Sequence, residues 1–331
     1  MAGLVSGFAP TFARTASSAQ LGGGWAFATG AVGCSLPGEF PVPLNINAAM
    51  KAQFDIRSMT RSEVDIAIEW AAAEGWNPGL HDAEVFHQAD PEGFLLAHVQ
   101  GEPVGVCSAV RYGQTFGFFG LYIVAPKWRG FGIGLALWAA AMRRLHGRIV
   151  GLDGVVAQQH NYARSGFELA YRQVRHRGLA WGGVPRDPGL VPLAAVDIDC
   201  WLAYDRKCFP AERRAYIEPW VKQPDTVALA LVEAGQLQGY GAIRPCRTGY
   251  KVGPLFADSP TAAQRLLAGL QSAVPLGSEV YVDTPEPHRE AMMLASRNGM
   301  EPMFETARMY AGGHPVMDTQ RQFAVTSFEL G

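Results

Sequence analysis

The chain repeats itself, and this constrains its fold more than any other feature. The apolar run Phe94 to Val99, a turn and then Val104-Gly105 are answered by Val227 to Val232, a turn and then Gln238-Gly239. Leu152-Asp153-Gly154 is answered by Val282-Asp283-Thr284, and Gly166-Phe167 by Gly299-Met300. Pairing Phe94 with Val227, Gly105 with Gly239 and Gly166 with Gly299 gives offsets of 133, 134 and 133 residues. A self-match at one period that keeps its strand pattern implies two copies of one domain. A length of 331 residues suits two domains of ordinary size.

The copies differ at one stretch. In the first, an apolar run from Leu121 to Val124 is stopped by Pro126. Arg129-Gly130-Phe131-Gly132-Ile133-Gly134 follows, and then the helical pattern of Leu135, Leu137, Trp138, Met142 and Leu145. Strand, glycine loop and helix start form a phosphate-binding arrangement. Glycine lets the backbone approach an anion, and the unpaired N–H groups and dipole of a helix N-terminus favour negative charge. Arg129 adds a cation at the mouth. The dinucleotide fingerprint fails because its third glycine would fall on Leu135, and no Gly-Lys-Ser/Thr follows for an ATP-type loop. In the second copy Asp258-Ser259-Pro260-Thr261 opens the helix instead, with Ser259 placed as its cap and Asp258 placed to repel a phosphate. One phosphate site, in the first copy, is therefore expected.

Charge is distributed to match. The net charge of −2 gives no reason to expect a nucleic-acid partner. Pro126 to Gly178 nonetheless carries nine Lys/Arg against Asp153 and Glu168, whereas Asp55 to Glu102 carries ten Asp/Glu against Arg57 and Arg61. The acidic run could attract a cationic amine or simply form a solvated helix face. The cysteines at 34, 107, 200, 208 and 246 show no metal-ligand spacing and suit reduced thiols in the cytoplasm, and no apolar run is long enough to span a membrane. Residues 1–49 are rich in Gly, Ala, Ser and Pro, with Arg14 and Glu39 their only charges. They are expected to be a disordered extension or an over-long start. Residues 50–180 form the first domain, 181–192 a Pro/Gly-rich linker, and 193–331 the second domain, without the phosphate loop.

Arg129-x-x-Gly132-x-Gly134 resembles the acyl-CoA pyrophosphate loop of the GNAT superfamily of N-acetyltransferases. Tyr162-Ala163-Arg164-Ser165-Gly166-Phe167 resembles the Tyr-x-x-x-Gly-Phe pattern found after that superfamily's fifth strand. The order β-α-(α)-β-β-β-α-β-α-β agrees. Residues 73–79, 150–159, 252–258 and 306–310 are further similar to two-domain bacterial members with an N-terminal GNAT domain and a GNAT-like C-terminal domain. The resemblance implies an α/β (α+β) fold of two tandem domains, each a mixed, mostly antiparallel twisted sheet flanked by helices.

It also implies acetyl-CoA as co-substrate and direct attack by a primary amine of a small molecule in a ternary complex. A longer acyl-CoA, or a non-catalytic acyl-CoA-binding regulator, is the alternative. The cofactor contacts implied are Tyr122, Ile123 and Val124 on the strand, Arg129, Gly130, Phe131, Gly132, Ile133, Gly134 and Leu135 on the loop, and Asn161. Tyr162 would protonate the leaving thiolate. For the general base, Asp153 is the first candidate and His160 the second, with a water relay also open, since no carboxylate lies between Arg111 and Pro126.

Overall fold

The computed structural model describes residues 54–182 and 187–331. The expectation for residues 1–49 lies outside them, as do residues 183–186 of the stretch read as linker. The first half runs β1 (Asp55–Ser58), α1 (Arg61–Ala73), α2 (Asp82–Ala89), β2 (Phe94–Val99), β3 (Glu102–Tyr112), β4 (Phe116–Val124), α3 (Ile133–Arg144), β5 (Ile149–Val155), α4 (Gln159–Arg164) and β6 (Glu168–Leu179). The second half runs β7 (Leu190–Pro192), α5 (Ile198–Cys208), α6 (Arg214–Trp220), β8 (Val227–Glu233), β9 (Gln236–Pro245), β10 (Tyr250–Ala257), α7 (Pro260–Ser272), β11 (Glu279–Pro285), α8 (Arg289–Arg297) and β12 (Glu301–Ala311). The two lists match element for element. A further strand, β13 (Gln322–Ala324), follows them. The Pro/Gly-rich stretch thus ends in β7, which pairs with β8.

Local chemistry accounts for the elements. Glu63 turns back at the start of α1 to accept from the Thr60 N–H at 2.8 Å, and Arg57 clamps its carboxylate. Ser259 caps α7 by accepting from the Ala262 N–H at 3.2 Å. Both hairpins turn through two residues with positive φ, Gln100-Gly101 and Ala234-Gly235, a backbone twist that matches the strands it joins.

Two sheets were to be expected from two copies, but the described strands form one. Its order is β1-β2-β3-β4-β5-β12-β6-β11-β10-β9-β8-β7, with β13 beside β10. Only β4–β5 and β10–β11 are parallel. Each half gives its last strand to the other: β12 pairs with β5, β6 pairs with β11, and the two exchanged strands pair with each other in the middle.

Two arginine–carboxylate pairs fasten the exchange. Arg308 on β12 grips Asp153 on β5 at 2.7 and 2.6 Å, and Arg175 on β6 grips Asp283 on β11 at 2.7 Å from each nitrogen. A third, Arg244 with Asp82, also joins the halves. The helices divide between the faces. α3 covers one face of the first half, and α7 and α8 the same face of the second. On the opposite face α1, α2, α5 and α6 share one core, where Phe86 stacks on Trp220 with ring centres 6.0 Å apart.

Candidate active site

β4 and β5 run side by side only from Phe116–Ile149 to Phe119–Leu152. Beyond that pair they separate. β4 is deflected by a bulge in which Leu121 and Tyr122 oppose Cys107, with Leu121 held at φ +46°. A bulky residue rarely adopts that conformation, so the surrounding packing must enforce it. The result is a cleft between Gly120–Val124 on one side and Asp153–Val155 on the other. Five residues of β4 therefore have no strand partner on the β5 side.

The loop Arg129 to Gly134 stands at the open end of this cleft. Gly130 and Gly132 have φ of +87° and +82°, and a methyl group on either would point into open space. Glycine is needed there for backbone conformation, and the space beside it is free for a ligand. Gly132 is the N-cap of α3, so the first-turn N–H groups from Ile133 to Leu135 face that space. Gly134 serves packing: a Cβ there would meet the Tyr122 hydroxyl at 2.7 Å. Phe131 is exposed at the loop tip. Arg129 does not project freely; it donates to the Val124 carbonyl at 2.9 Å and to Glu74 at 2.7 Å. It thereby ties the loop to β4 and to the end of α1, and an arriving phosphate would compete with Glu74 for it.

Tyr162 lies along the cleft wall, stacked on Trp138 at 5.7 Å. Gly154 makes room for it, since a Cβ there would come within 2.3 Å of the ring. Burial pushes the phenol up to about 12, so it keeps its proton at neutral pH. Asn161 is one residue away and bonds Gln158 at 2.7 Å. His160 is exposed.

Asp153 is placed quite differently from a base. Its side chain has 0% exposure and both oxygens are held by Arg308. Burial pushes its carboxyl up, and the Asp283 and Glu329 carboxylates add to this while Arg308 opposes it. Asp283 is its counterpart in the repeat. Burial also works against ionisation there, but Arg175, Lys251 and Arg244 outweigh it and hold the carboxyl down.

The second half builds the same cleft and then fills it. β10 leaves β11 after Val252–Val282, with a bulge at Gly253-Pro254. β13 occupies the gap, pairing with β10 at Leu255–Ala324, while the Val325 N–H bonds the Asp283 carbonyl at 3.0 Å. The chain then crosses to the first half. The Val325 and Thr326 carbonyls lie 2.6 Å from where a Gly253 Cβ would be, and the Glu329 carbonyl 2.1 Å from where a Gly120 Cβ would be. The Tyr112 hydroxyl donates to the Leu330 carbonyl at 2.9 Å. Sequence reading overlooked this segment because Gln322 to Gly331 carries no motif; the glycines it lies against, at 120 and 253, were the available signal.

Comparison with known proteins agrees with this fold. The family model described as "Acetyltransferase (GNAT) family" matches residues 61–167, and that described as "Acetyltransferase (GNAT) domain" matches residues 201–324. Holothin acyltransferase of Pseudoalteromonas sp. (strain SANK 73390) is 34% identical over 269 residues, covering 81% of this chain and 92% of that one. Among solved structures, a candidate acetyltransferase of Pyrococcus horikoshii superposes with a TM-score of 0.72 at 21% identity, covering 87% of this chain and 99% of the other. A tandem GNAT protein from the clavulanic acid biosynthesis pathway gives 0.53 at 14%, covering 78% and 98%. The chain belongs to the GNAT family, as a two-domain acyltransferase. No helix of the described residues is long and apolar enough to cross a membrane.

Proposed function

We propose that the chain moves an acetyl group from acetyl-CoA to the primary amine of a small molecule, in the cytoplasm. The observation that carries this reading is the split between β4 and β5, open in the first half, with a glycine loop and a helix N-terminus at its mouth. Pyrophosphate would lie on the N–H groups of Gly130 to Leu135. The pantetheine arm would run along Tyr122, Ile123 and Val124, pairing with backbone groups that β5 leaves free. An N–H at the bulge would polarise the thioester carbonyl. Tyr162, protonated at neutral pH, would supply the leaving sulfur's proton.

A longer acyl group is the second reading. The name of the relative Holothin acyltransferase specifies acyl rather than acetyl transfer, with holothin as its object. Calorimetric titration of the full chain with acetyl-CoA and, beside it, a long-chain acyl-CoA tests both. A single site of micromolar strength, about −8 kcal/mol, is expected for acetyl-CoA, followed by turnover in an amine screen that includes holothin. Preference for the long chain would favour the second reading, and binding of neither would remove the transferase mechanism.

A further inference from the structure

We propose that Glu329, carried by the segment after β13, is the carboxylate that receives the acceptor's ammonium group and takes its proton; the inference rests on the amine-transfer reading above. The cleft opens beyond the Phe119–Leu152 pair, so Gly120 and Asp153 are the first residues past the apex on their strands. A pantetheine arm entering from the loop at the Val124 end would bring its reactive carbonyl to that apex. No carboxylate of β4 stands there, and that of Asp153 is consumed by Arg308.

The backbone of Glu329 reaches that place. Its carbonyl lies so close to Gly120 that a Cβ at that position would sit 2.1 Å away. The residue is 4% exposed, yet Oε2 has no hydrogen-bond partner, and no Lys or Arg of the described residues pairs with the carboxylate. Its carboxylate lies within electrostatic reach of Asp153 of β5 and of three cations, Arg175 of β6, Arg244 of β9 and Lys251 of β10. A second orphan converges there: the buried Ser108 hydroxyl lacks a partner and lies 3.1 Å from the same Gly120 Cβ position. Buried polar groups are rarely left unpaired, and an unpaired carboxylate is the costlier case. An ammonium group would give Oε2 the donor it lacks.

The step balances. One ammonium proton passes to Glu329, which becomes a neutral acid. The freed nitrogen lone pair forms the C–N bond and the C–S bond breaks. Sulfur takes a proton from Tyr162, the amide nitrogen's surplus proton restores Tyr162, and Glu329 later returns its proton to solvent. The second half thus lends the first a reacting group through the segment that fills its own cleft.

The test uses full-length wild type, Glu329→Gln and Glu329→Asp with acetyl-CoA and whichever of 2-phenylethylamine, putrescine and holothin the wild type acylates fastest. For Glu329→Gln we expect acetyl-CoA affinity and Tm at least equal to wild type, and kcat/KM down about 10²-fold or more at pH 7. The variant's rate should climb about tenfold per pH unit as the amine deprotonates in solution, and Glu329→Asp should fall between the two. Activity within threefold of wild type with the same pH profile would overturn the assignment. So would parallel loss of Tm, acetyl-CoA affinity and activity in both variants, which would make Glu329 structural. A wild type that acylates no amine would instead overturn the transferase reading, and this inference with it.

Discussion

Asp153 and Arg308 face each other across β5 and β12 as register partners, one from each half, and their repeat counterparts Asp283 and Arg175 do the same across β11 and β6. The same ion pair is made twice because the strands carrying its arginines are exchanged. All four side chains are at most 5% exposed. Asp153 is therefore a fastener of the exchange, which is the physical reason it suits the role of base poorly.

Removing one member should show this. Asp153→Asn leaves the Arg308 guanidinium buried without its counter-charge and should cost about 3–5 kcal/mol of stability. Replacing both, Asp153→Asn with Arg308→Met, should cost less than the sum of the single changes. Urea midpoints of the two single variants and the double variant measure it.

The phosphate loop gives a cleaner separation of binding from folding. Arg129 is half exposed and its ion pair with Glu74 lies at the surface. Arg129→Glu should leave Tm nearly unchanged, since exposed pairs contribute about 0–1 kcal/mol. Acetyl-CoA affinity, read by calorimetry, should fall tenfold or more, because a cation beside the proposed pyrophosphate site becomes an anion.

Tyr162→Phe should spare acetyl-CoA binding and lower kcat by about 10²-fold. Because burial pushes the phenol up to about 12, wild type holds this proton throughout pH 6–9. The ratio of wild-type to variant rates should therefore be flat across that range in a steady-state assay.

Acid should release the cap of α1. The Arg57 guanidinium, helped by Thr60, holds the Glu63 carboxyl down to about 2, below the roughly 4.3 of an unfolded chain. A depressed carboxyl stabilises the fold above the unfolded value, and that contribution is lost as pH falls towards 2. Glu63→Gln should thus lower Tm at pH 7, and the gap between the two proteins should close between pH 4 and pH 2.

Most of the candidate site could be read locally, because its determinants are local. Gly130 and Gly132 are needed for positive φ within a single turn, and Tyr162 lies one short helix from Gly154, whose missing side chain accommodates it. The capping residue Ser259 was legible for the same reason. The exchange of β6 and β12 was not. Alternation along a strand shows which face is buried but not which neighbour it pairs with, and two copies of one pattern offer each strand two nearly equivalent partners. The bulge at Leu121 also escaped notice, since a bulky residue at positive φ is imposed by packing and leaves no mark in the sequence. The Ser108 hydroxyl and the Glu329 backbone both reach Gly120 although 221 residues separate them, a relation no local motif records.

The exchanged strands also speak to ancestry. A single-copy forerunner that traded its last strand with a twin would have formed a two-fold dimer with two open clefts. Joining the twins in one gene keeps that strand order and frees the two copies to diverge. In the present chain one copy has the glycine loop, while the cleft of the other is filled by the segment that includes β13. Inheritance of this kind makes the two halves obligate companions: cut apart in the laboratory, neither would carry the strand that completes its own sheet.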